Sequence, residues 1–454
     1  MKKIILIAAL LFIGLFANAQ CWSKISVNTH TVALKEDGTL WTWGHNSHGQ
    51  IGDGTTTNRL IPTQIGTSTD WKEVAAGDEF SMAIKTDGTL WGWGWNIYGA
   101  LGDGTNVDKT TPIQIGTETN WDTISAGAWY CVALKNNGTL WSWGLNQNGS
   151  LGDGTTNNRN IPAQVGTDTN WAKITVRVHS LALKTDGTLW SWGPNMFGQL
   201  GDGTTSDKLI PTQIGSATNW LEIAGGNENT IALKTDGTLW SCGNNVFGGL
   251  GNGTNTNSST FTQAGVATNW AHISTRAQHS LALKTDGTLW TWGYNAFGML
   301  GDGTTIDKNT PAQINIGNTY KQVIAGLFSS SAIKPNGTLM SWGWNTHGEY
   351  GDGTTTDKLI PTQITTCIGL STTEYSNQEN VQLYPNPNNG NFKIEITGKI
   401  ENAQVNVYSI LGQLIYNQKI NAEFTNLTIG LKQGLYVVSI ENNHQTSVQK
   451  IIVE

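Results

Sequence analysis

Along most of the chain, apolar residues fall in short runs that alternate with small or polar ones and are cut by Gly, Asn and Asp. Leu181-Ala-Leu183 and Leu189-Trp-Ser-Trp192 flank the turn sequence Asp186-Gly187, a period-two alternation on either side of a turn that predicts a β-hairpin. Asp-Gly and Asn-Gly are strong two-residue hairpin signals, and such a turn needs positive φ at both central residues. A short strand led by an aromatic residue precedes the hairpin, as in Trp71-Lys-Glu-Val74. After the hairpin come a Gly-rich loop, Asn195 to Asp202, and a last run, Ile210-Pro-Thr-Gln-Ile214. Pro there predicts an edge strand or a strand start, where no ladder donor is needed.

The same pattern recurs at near-fixed spacing. Its turn begins at Asp37, Asp87, Asn137, Asp186, Asp236, Asp286 and Asn336, in steps of 50, 50, 49, 50, 50 and 50 residues. Its leading aromatics are Trp22, Trp71, Trp121, Trp171, Trp220, Trp270 and Tyr320. Four short strands in about fifty residues describe a propeller blade, and seven such units describe a ring. A solenoid needs atypical capping repeats at its ends, whereas the first and seventh units here are as regular as the middle ones. The expected fold is all-β: a seven-bladed β-propeller over residues 20–366, a polar linker over 367–380, and a small antiparallel β-sandwich over 381–454.

Composition agrees and removes some functions. With 55 Gly, 21 Trp and only 13% charged residues, the chain suits tight turns and strands rather than long helices. A net charge of -7 without a basic run leaves no footprint for nucleic acid. Residues 1–19 read as a signal peptide: Lys2 and Lys3, the apolar Ile4–Phe16, then Ala17-Asn18-Ala19 as the cleavage site. No transmembrane anchor is expected after cleavage, because the apolar run is too short to span. Lipidation at Cys21 is the competing reading, but Gln20 fits poorly where lipoprotein processing takes a small residue. Export permits disulfides. Cys131 and Cys242 stand at repeat positions held elsewhere by Ser, Thr or Trp and read as buried small hydrophobes. Cys21 and Cys367 flank the repeats; a closed ring makes them neighbours, and a Cys21–Cys367 bridge is expected to fasten it.

Trp190–Asn195 (Trp-x-Trp-Gly-x-Asn), Gly198-Gln-Leu-Gly201 and the upstream Ala182-Leu183, repeated seven times between Cys21 and Thr366, resemble the regulator of chromosome condensation repeat family. The resemblance implies the propeller fold. Members of that family include a guanine-nucleotide exchange factor and a secreted β-lactamase-inhibitory propeller, and an exported chain fits the second kind of use. The tail resembles the C-terminal sorting domain of the type IX (Por) secretion system of Bacteroidota, through Tyr384-Pro385-Asn386-Pro387, Gly390-Asn-Phe392, Val407-Tyr-Ser409 with Gly412-Gln413, Gly434-Leu-Tyr436-Val437 and Lys450-Ile-Ile-Val453. It implies passage to the periplasm, engagement of the type IX machinery by the tail, and delivery to the cell surface or medium.

Eighteen of the 21 Trp occupy three repeat positions, leaving Trp95, Trp129 and Trp344 outside them. Repeated Trp are expected in the core between blades. Repeated Asp in Gly-Asp-Gly-Thr read as turn formers rather than a calcium site, which needs six or more clustered oxygens. Function is expected where blades differ, in two windows. One follows the opening strand and holds His30, Phe80, Tyr130, His179 and His279, with Trp129 beside them. The other flanks the repeated Asn after Trp-Gly and holds Trp95, Tyr294 and Trp344. Each window is expected to form a ring of side chains, and Trp95, Trp129, Tyr294, Trp344, Phe80, Tyr130, His179 and His279 are the candidate binding residues. The partner class is an extracellular protein or, alternatively, a glycan stacked on the aromatics. A secreted hydrolase is the remaining class, but no Ser-His-Asp set or metal spacing accompanies the histidines. No catalytic residue, metal or cofactor is expected.

Overall fold

Four strands form in every repeat because each turn sequence stops one strand and starts the next. A computed structural model describes residues 22–365, 381–396, 403–409, 414–420, 424–442 and 445–453, in two compact units divided after Gly369. The signal segment, the linker, Cys21 and Cys367 lie outside the described residues, and with them the expected bridge.

In the first repeat, β1 (Trp22–Val27), β2 (His30–Lys35), β3 (Leu40–Gly44) and β4 (Arg59–Gln64) pair antiparallel in the order β1-β2-β3-β4. Six more four-stranded sheets repeat this order, so the molecule is the all-β, seven-bladed propeller that the spacing predicts. Val32, Ala33 and Leu34 on β2 are all buried. Both faces of this strand meet a neighbouring blade, hence its unbroken apolar run rather than an alternation. β4 alternates between partly buried and exposed residues, as an outer edge strand carrying Pro62 should. Each blade is continuous in sequence, from Trp22–Gln64 to Gln322–Thr365, so no strand is exchanged between the chain ends to close the ring. Closure rests on packing of Trp22, Ile25, Val27 and Trp43 against Ile333 and Leu339.

The hairpin turn differs from the expected two-residue form. It closes from Lys35 to Gly38 (Gly38 N–H to Lys35 O, 3.0 Å) with Glu36 and Asp37 at its centre, and only Gly38 has positive φ, at 76°. This is the pattern of a type I turn followed by a left-handed residue. The reason is chemical: Asp37 Oδ1 accepts both the N–H (3.0 Å) and the hydroxyl (2.6 Å) of Thr39. Thr39 Oγ1 in turn accepts Trp41 Nε1 at 2.8 Å. Gly38 also docks the next blade, since its carbonyl accepts Trp71 N–H at 3.2 Å and a Cβ there would sit 2.1 Å from Thr69 O. The register places Lys35 opposite Trp22, which sets its ammonium 3.6 Å from the Trp41 ring centroid, a cation–π contact.

Blades are fastened by the second Trp of Trp-x-Trp. Its Nε1 donates to a main-chain carbonyl of the preceding blade: Trp93 to Gln50 O at 2.8 Å, Trp143 to Ala100 O at 2.8 Å, Trp192 to Ser150 O at 2.9 Å, Trp292 to Gly249 O at 3.0 Å and Trp342 to Met299 O at 2.7 Å. Trp43 makes the same bond to Glu349 O at 2.9 Å and so joins blade 1 to blade 7. The indole lies so close on the preceding loop that a Cβ on Gly102 would come 2.8 Å from Trp143 Nε1. Blade 5 departs from this rule. Cys242 replaces the Trp, and Phe261 stands where six other blades have Pro. The Phe261 ring fills the space an indole takes elsewhere: a Cβ on Gly201 would meet Phe261 Cε2 at 2.5 Å. Cys242 keeps a weak bond from Sγ to Gln199 O at 3.5 Å.

The second unit packs a three-stranded sheet, Val381–Tyr384, Asn391–Ile396 and Phe424–Thr428, against a four-stranded one, Leu414–Ile420, Ala403–Ser409, Gly434–Asn442 and Gln445–Val453. Phe392, Ile394 and Leu427 from the first meet Val405, Val407, Val438, Ile440 and Ile451 from the second in one core. This is a sandwich. The Tyr384-Pro385-Asn386-Pro387 segment ties the last strand down. Asn386 Oδ1 accepts Ile452 N–H at 2.8 Å, and Asn388 N–H donates to Ile452 O at 2.8 Å. Tyr384 donates its hydroxyl to Glu395 Oε2 at 2.9 Å, and Tyr436, two residues after Gly434, donates to Lys432 O at 2.7 Å.

Two predictions follow from the blade contacts. Trp143 uses its Nε1, whereas the buried Nε1 of the leading Trp171 has no hydrogen-bond partner. Trp143→Phe should therefore cost about 1–3 kcal/mol by leaving Ala100 O with only the weak Cys131 Sγ donor at 3.5 Å, while Trp171→Phe costs clearly less; equilibrium denaturation of both variants measures the difference. In blade 5, Cys242→Trp alone should destabilise by overpacking, and adding Phe261→Pro should recover stability. The double-mutant cycle is expected to show coupling of about 1 kcal/mol or more.

Candidate functional site: the loop face around the axis

Both variable windows lie on one face, because a main-chain hydrogen bond joins them in six of the seven blades; Pro194 in the fourth has no N–H to donate. His45, Trp95, Leu145, Asn244, Tyr294 and Trp344 donate their N–H to the carbonyls of Thr29, Glu79, Trp129, Glu228, Gln278 and Phe328, at 2.8–3.2 Å. The outer loop is shaped from within by the repeated Asn. Asn46, fully buried, accepts Ile51 N–H on Oδ1 at 2.9 Å and donates from Nδ2 to Thr57 O at 2.9 Å and Thr55 O at 3.1 Å. With that Asn pinned inside, its neighbours are turned outward. Ile97, Met196 and Val246, one residue beyond it, are 51%, 73% and 56% exposed.

The repeated Asp locks the same loop. Asp53 Oδ1 accepts Thr55 N–H at 3.0 Å and Thr55 Oγ1 at 2.7 Å, and Asp53 Oδ2 pairs with Arg59. Lys109, Arg159, Lys208, Lys308 and Lys358 pair with the equivalent Asp103, Asp153, Asp202, Asp302 and Asp352. Blade 5 has Asn252 and Ser258 instead, a neutral substitution on both sides of the pair. Partial burial pushes the Asp53 carboxyl up, but the Thr55 hydrogen bonds and the Arg59 guanidinium outweigh it and hold it below the usual carboxylate value.

Two aromatic clusters stand on this face. Trp95 packs edge-on against Tyr98 (ring centroids 5.7 Å) and Trp129 (6.3 Å), with His48 at 5.4 Å; Trp129 is 37% exposed. Trp344 packs on Phe328 (5.7 Å), Phe297 (6.4 Å) and His347 (5.2 Å). Tyr294 lies on Phe247 at 4.7 Å. Four of these aromatics, Trp95, Trp129, Tyr294 and Trp344, are sequence candidates. Tyr98, Phe247 and Phe297, which share one repeat position with Phe197, are not among those candidates. Their place directly before a repeated Gly is the signal that marks them as loop residues.

The other candidates do not reach the face. Phe80, Tyr130, His179 and His279 are all buried, which corrects their assignment to a binding ring. They serve the contact between blades. His179 Nε2 lies 2.7 Å from Thr230 Oγ1, and Thr230 donates to Gln199 O at 2.7 Å. His30 with Ser81 (2.7 Å) and His279 with Ser330 (3.0 Å) repeat this arrangement, and Tyr130 with Ser180 (2.9 Å) resembles it. Since each hydroxyl donates to a carbonyl, the His Nε2 carries the proton and donates to the hydroxyl. Burial lowers the His30 and His179 pKa to about 3 and that of His279 to about 4. These imidazoles are neutral struts between blades.

A closed ring of seven blades, with its variable loops gathered on one face, belongs to the class of propeller scaffolds. Compared with known families, residues 23–326 match the RCC1-like domain and residues 382–454 the secretion system C-terminal sorting domain. The chain belongs to the RCC1-like domain family, and its sorting domain directs export by the type IX system of Bacteroidota to the cell surface or medium. Over 45 residues the chain is 42% identical to RCC1 domain-containing protein RUG3, mitochondrial, of Arabidopsis thaliana; the match spans 10% of each chain. Human WBSCR16 is similar in structure, with a TM-score of 0.66 at 20% identity over 72% of this chain and 94% of that one. Prp20p of Saccharomyces cerevisiae is similar at a TM-score of 0.66 and 22% identity, over 80% of this chain and 90% of that one. At these identities the likeness concerns the fold.

The buried histidines give the propeller a pH dependence. Their folded pKa lies below the unfolded value of about 6.5, so the unfolded state binds more protons in the interval. Stability is therefore full above about pH 6.5 and falls as pH drops toward 4, by up to about 1.4 kcal/mol per pH unit for each histidine. Thermal melts between pH 7.5 and 4 should show this decline, and His179→Gln should flatten it.

Proposed function

We propose that the chain is an exported binding protein that takes a protein partner on the loop face, using the two aromatic clusters as anchors. What supports the reading is the departure from symmetry. Twenty-eight strands and their turns repeat, whereas the clusters Trp95-Tyr98-Trp129 and Phe297-Phe328-Trp344 are built around Trp95, Trp129 and Trp344, which stand outside the repeated Trp positions. Aromatic anchors beside exposed aliphatic tips, held on a rigid frame, suit protein recognition, because large side chains already fixed in place lose little entropy on binding. The edge-on packing favours protein over sugar. Trp95 meets Trp129 at an interplanar angle of 76°, and Trp344 meets Phe328 at 88°, so neighbouring rings crowd the flat faces that a stacked pyranose uses. The histidines on which a hydrolase would rest are neutral and buried between blades.

Trp129→Ala with Trp344→Ala should leave the circular dichroism of the propeller unchanged and weaken a partner captured from the cell surface by about 2 kcal/mol or more, roughly thirtyfold. Unchanged affinity in a surface-binding titration would exclude the anchors. Loss of a glycan-array signal on the same substitutions, with no protein captured, would transfer the face to sugars.

A further inference from the structure

The seven innermost strands surround an axial channel of about 240 Å³, lined by residues such as Ile25, Val74, Thr175, Ser274 and Arg276, with mostly polar atoms facing it. Six residues after the leading aromatic, four blades carry glycine: Gly77, Gly127, Gly226 and Gly326. The other three carry Asn28, Arg177 and Arg276, whose side chains collect at the mouth that opens on the loop face. Arg276 reaches from blade 6 to blade 2, where one Nη2 proton goes to Ala76 O at 3.2 Å. Its Nε is buried without any hydrogen-bond partner. No ion pair joins it to a carboxylate among the described residues.

The one carboxylate that faces the two arginines is already engaged. Asp78 Oδ1 takes Arg177 Nη1 and also Asn28 Nδ2, the latter at 2.7 Å. Arg177 spends its Nε on Asn227 Oδ1 at 2.8 Å. Two guanidinium groups thus stand near a single carboxylate, which pairs with Arg177 and not with Arg276. Burial and then the nearby Arg177 lower the Arg276 pKa to about 9, with Asp78 opposing, so Arg276 remains charged at neutral pH. Ala277, the next residue, has φ of 49°, a left-handed conformation that disfavours Ala. Asp78, Ala128, Asn227 and Leu327, its counterparts in the other three-residue loops, do not share it. The loop holds Arg276 in place against both electrostatic and backbone cost.

We propose that this mouth is a binding site for one oxyanion, a carboxylate or phosphate group, gripped by Arg276 with Arg177 beside it. A partly buried guanidinium whose Nε is left unpaired costs stability unless a charged acceptor satisfies the group, and its planar fork matches the two oxygens of such an acceptor. The anion has two possible sources, a free small molecule or the acidic side chain of a protein docked on the loop face.

The test uses the secreted chain at constant ionic strength, with inorganic phosphate, acetate and a blocked peptide bearing a single Glu as probes and chloride as reference. Phosphate or acetate should raise the thermal midpoint beyond chloride, and calorimetry should show Arg276→Gln weakening them about tenfold or more. Arg177→Gln is the second variant and should weaken them in the same direction. Tighter binding of the peptide than of acetate assigns the site to an acidic side chain; phosphate binding at least as tightly assigns it to a free anion. In anion-free buffer, Arg276→Met should raise the midpoint, because it removes the unpaired charge. No response of the unmodified chain beyond chloride, or a response that both Gln variants keep, overturns the proposal.

Discussion

The indole-to-carbonyl hydrogen bond between successive blades is the constraint from which the rest of the propeller follows. A main-chain carbonyl buried between two sheets needs a donor, and the second Trp of each blade supplies one across the interface. In blades such as the second, a hydroxyl adds another: Gln50 O takes both Trp93 Nε1 and Ser81 Oγ, each at 2.8 Å. This doubly used carbonyl explains why a Gly lies under the indole, why a hydroxyl faces the adjoining strand, and why a buried imidazole or phenol meets that hydroxyl from the other side. Blade 5 shows the constraint by its exception, since the lost indole is matched by Phe261 in the same space.

The ring closes by this same means rather than by a shared strand. Trp43 and Thr31 of the first blade both donate to Glu349 O of the seventh, at 2.9 and 3.2 Å, beneath the cluster of Trp22, Ile25 and Ile333. Closure therefore uses the contact that joins every other pair of blades, and the scaffold has no weak point assigned to function. Side chains that make these contacts are committed to them. What remains for recognition is the loop face, where the buried Asn and the Asp–cation pair hold each loop while its neighbours project outward.

Two units divide the work of the chain. The sorting unit has its own core, and its Tyr-Pro-Asn-Pro segment secures its last strand, so the address signal is a folded surface rather than a loose tag. The propeller carries the proposed binding surface. Its loop face combines aromatic clusters with the two arginines at the axial mouth, the two chemistries on which the proposed recognition of a protein partner and of an oxyanion rests.

The sequence alone determined the architecture, because fifty-residue periodicity, period-two strands and turn residues are local properties that each repeat states again. Seven blades, their four strands, the interior place of two of the three repeated Trp positions and the sorting tail were legible from it, whereas the first Trp of each Trp-x-Trp is only partly buried. The strand Phe424–Thr428 and the true form of the Asp-Gly turn were not, the latter because a side-chain bond from Asp37 to Thr39 outweighs the usual hairpin preference. At the candidate site, non-repetition found Trp95, Trp129, Tyr294 and Trp344 but also selected Phe80, Tyr130, His179 and His279. Variation along a sequence marks both loops that are free and interface positions that tolerate several donors, and it does not say which is buried. Only the tertiary structure decided that, by placing a hydroxyl of the next blade against each His and leaving Trp129 in the open. The meeting of Arg177 and Arg276, 99 residues apart in sequence, likewise exists only once the ring has closed.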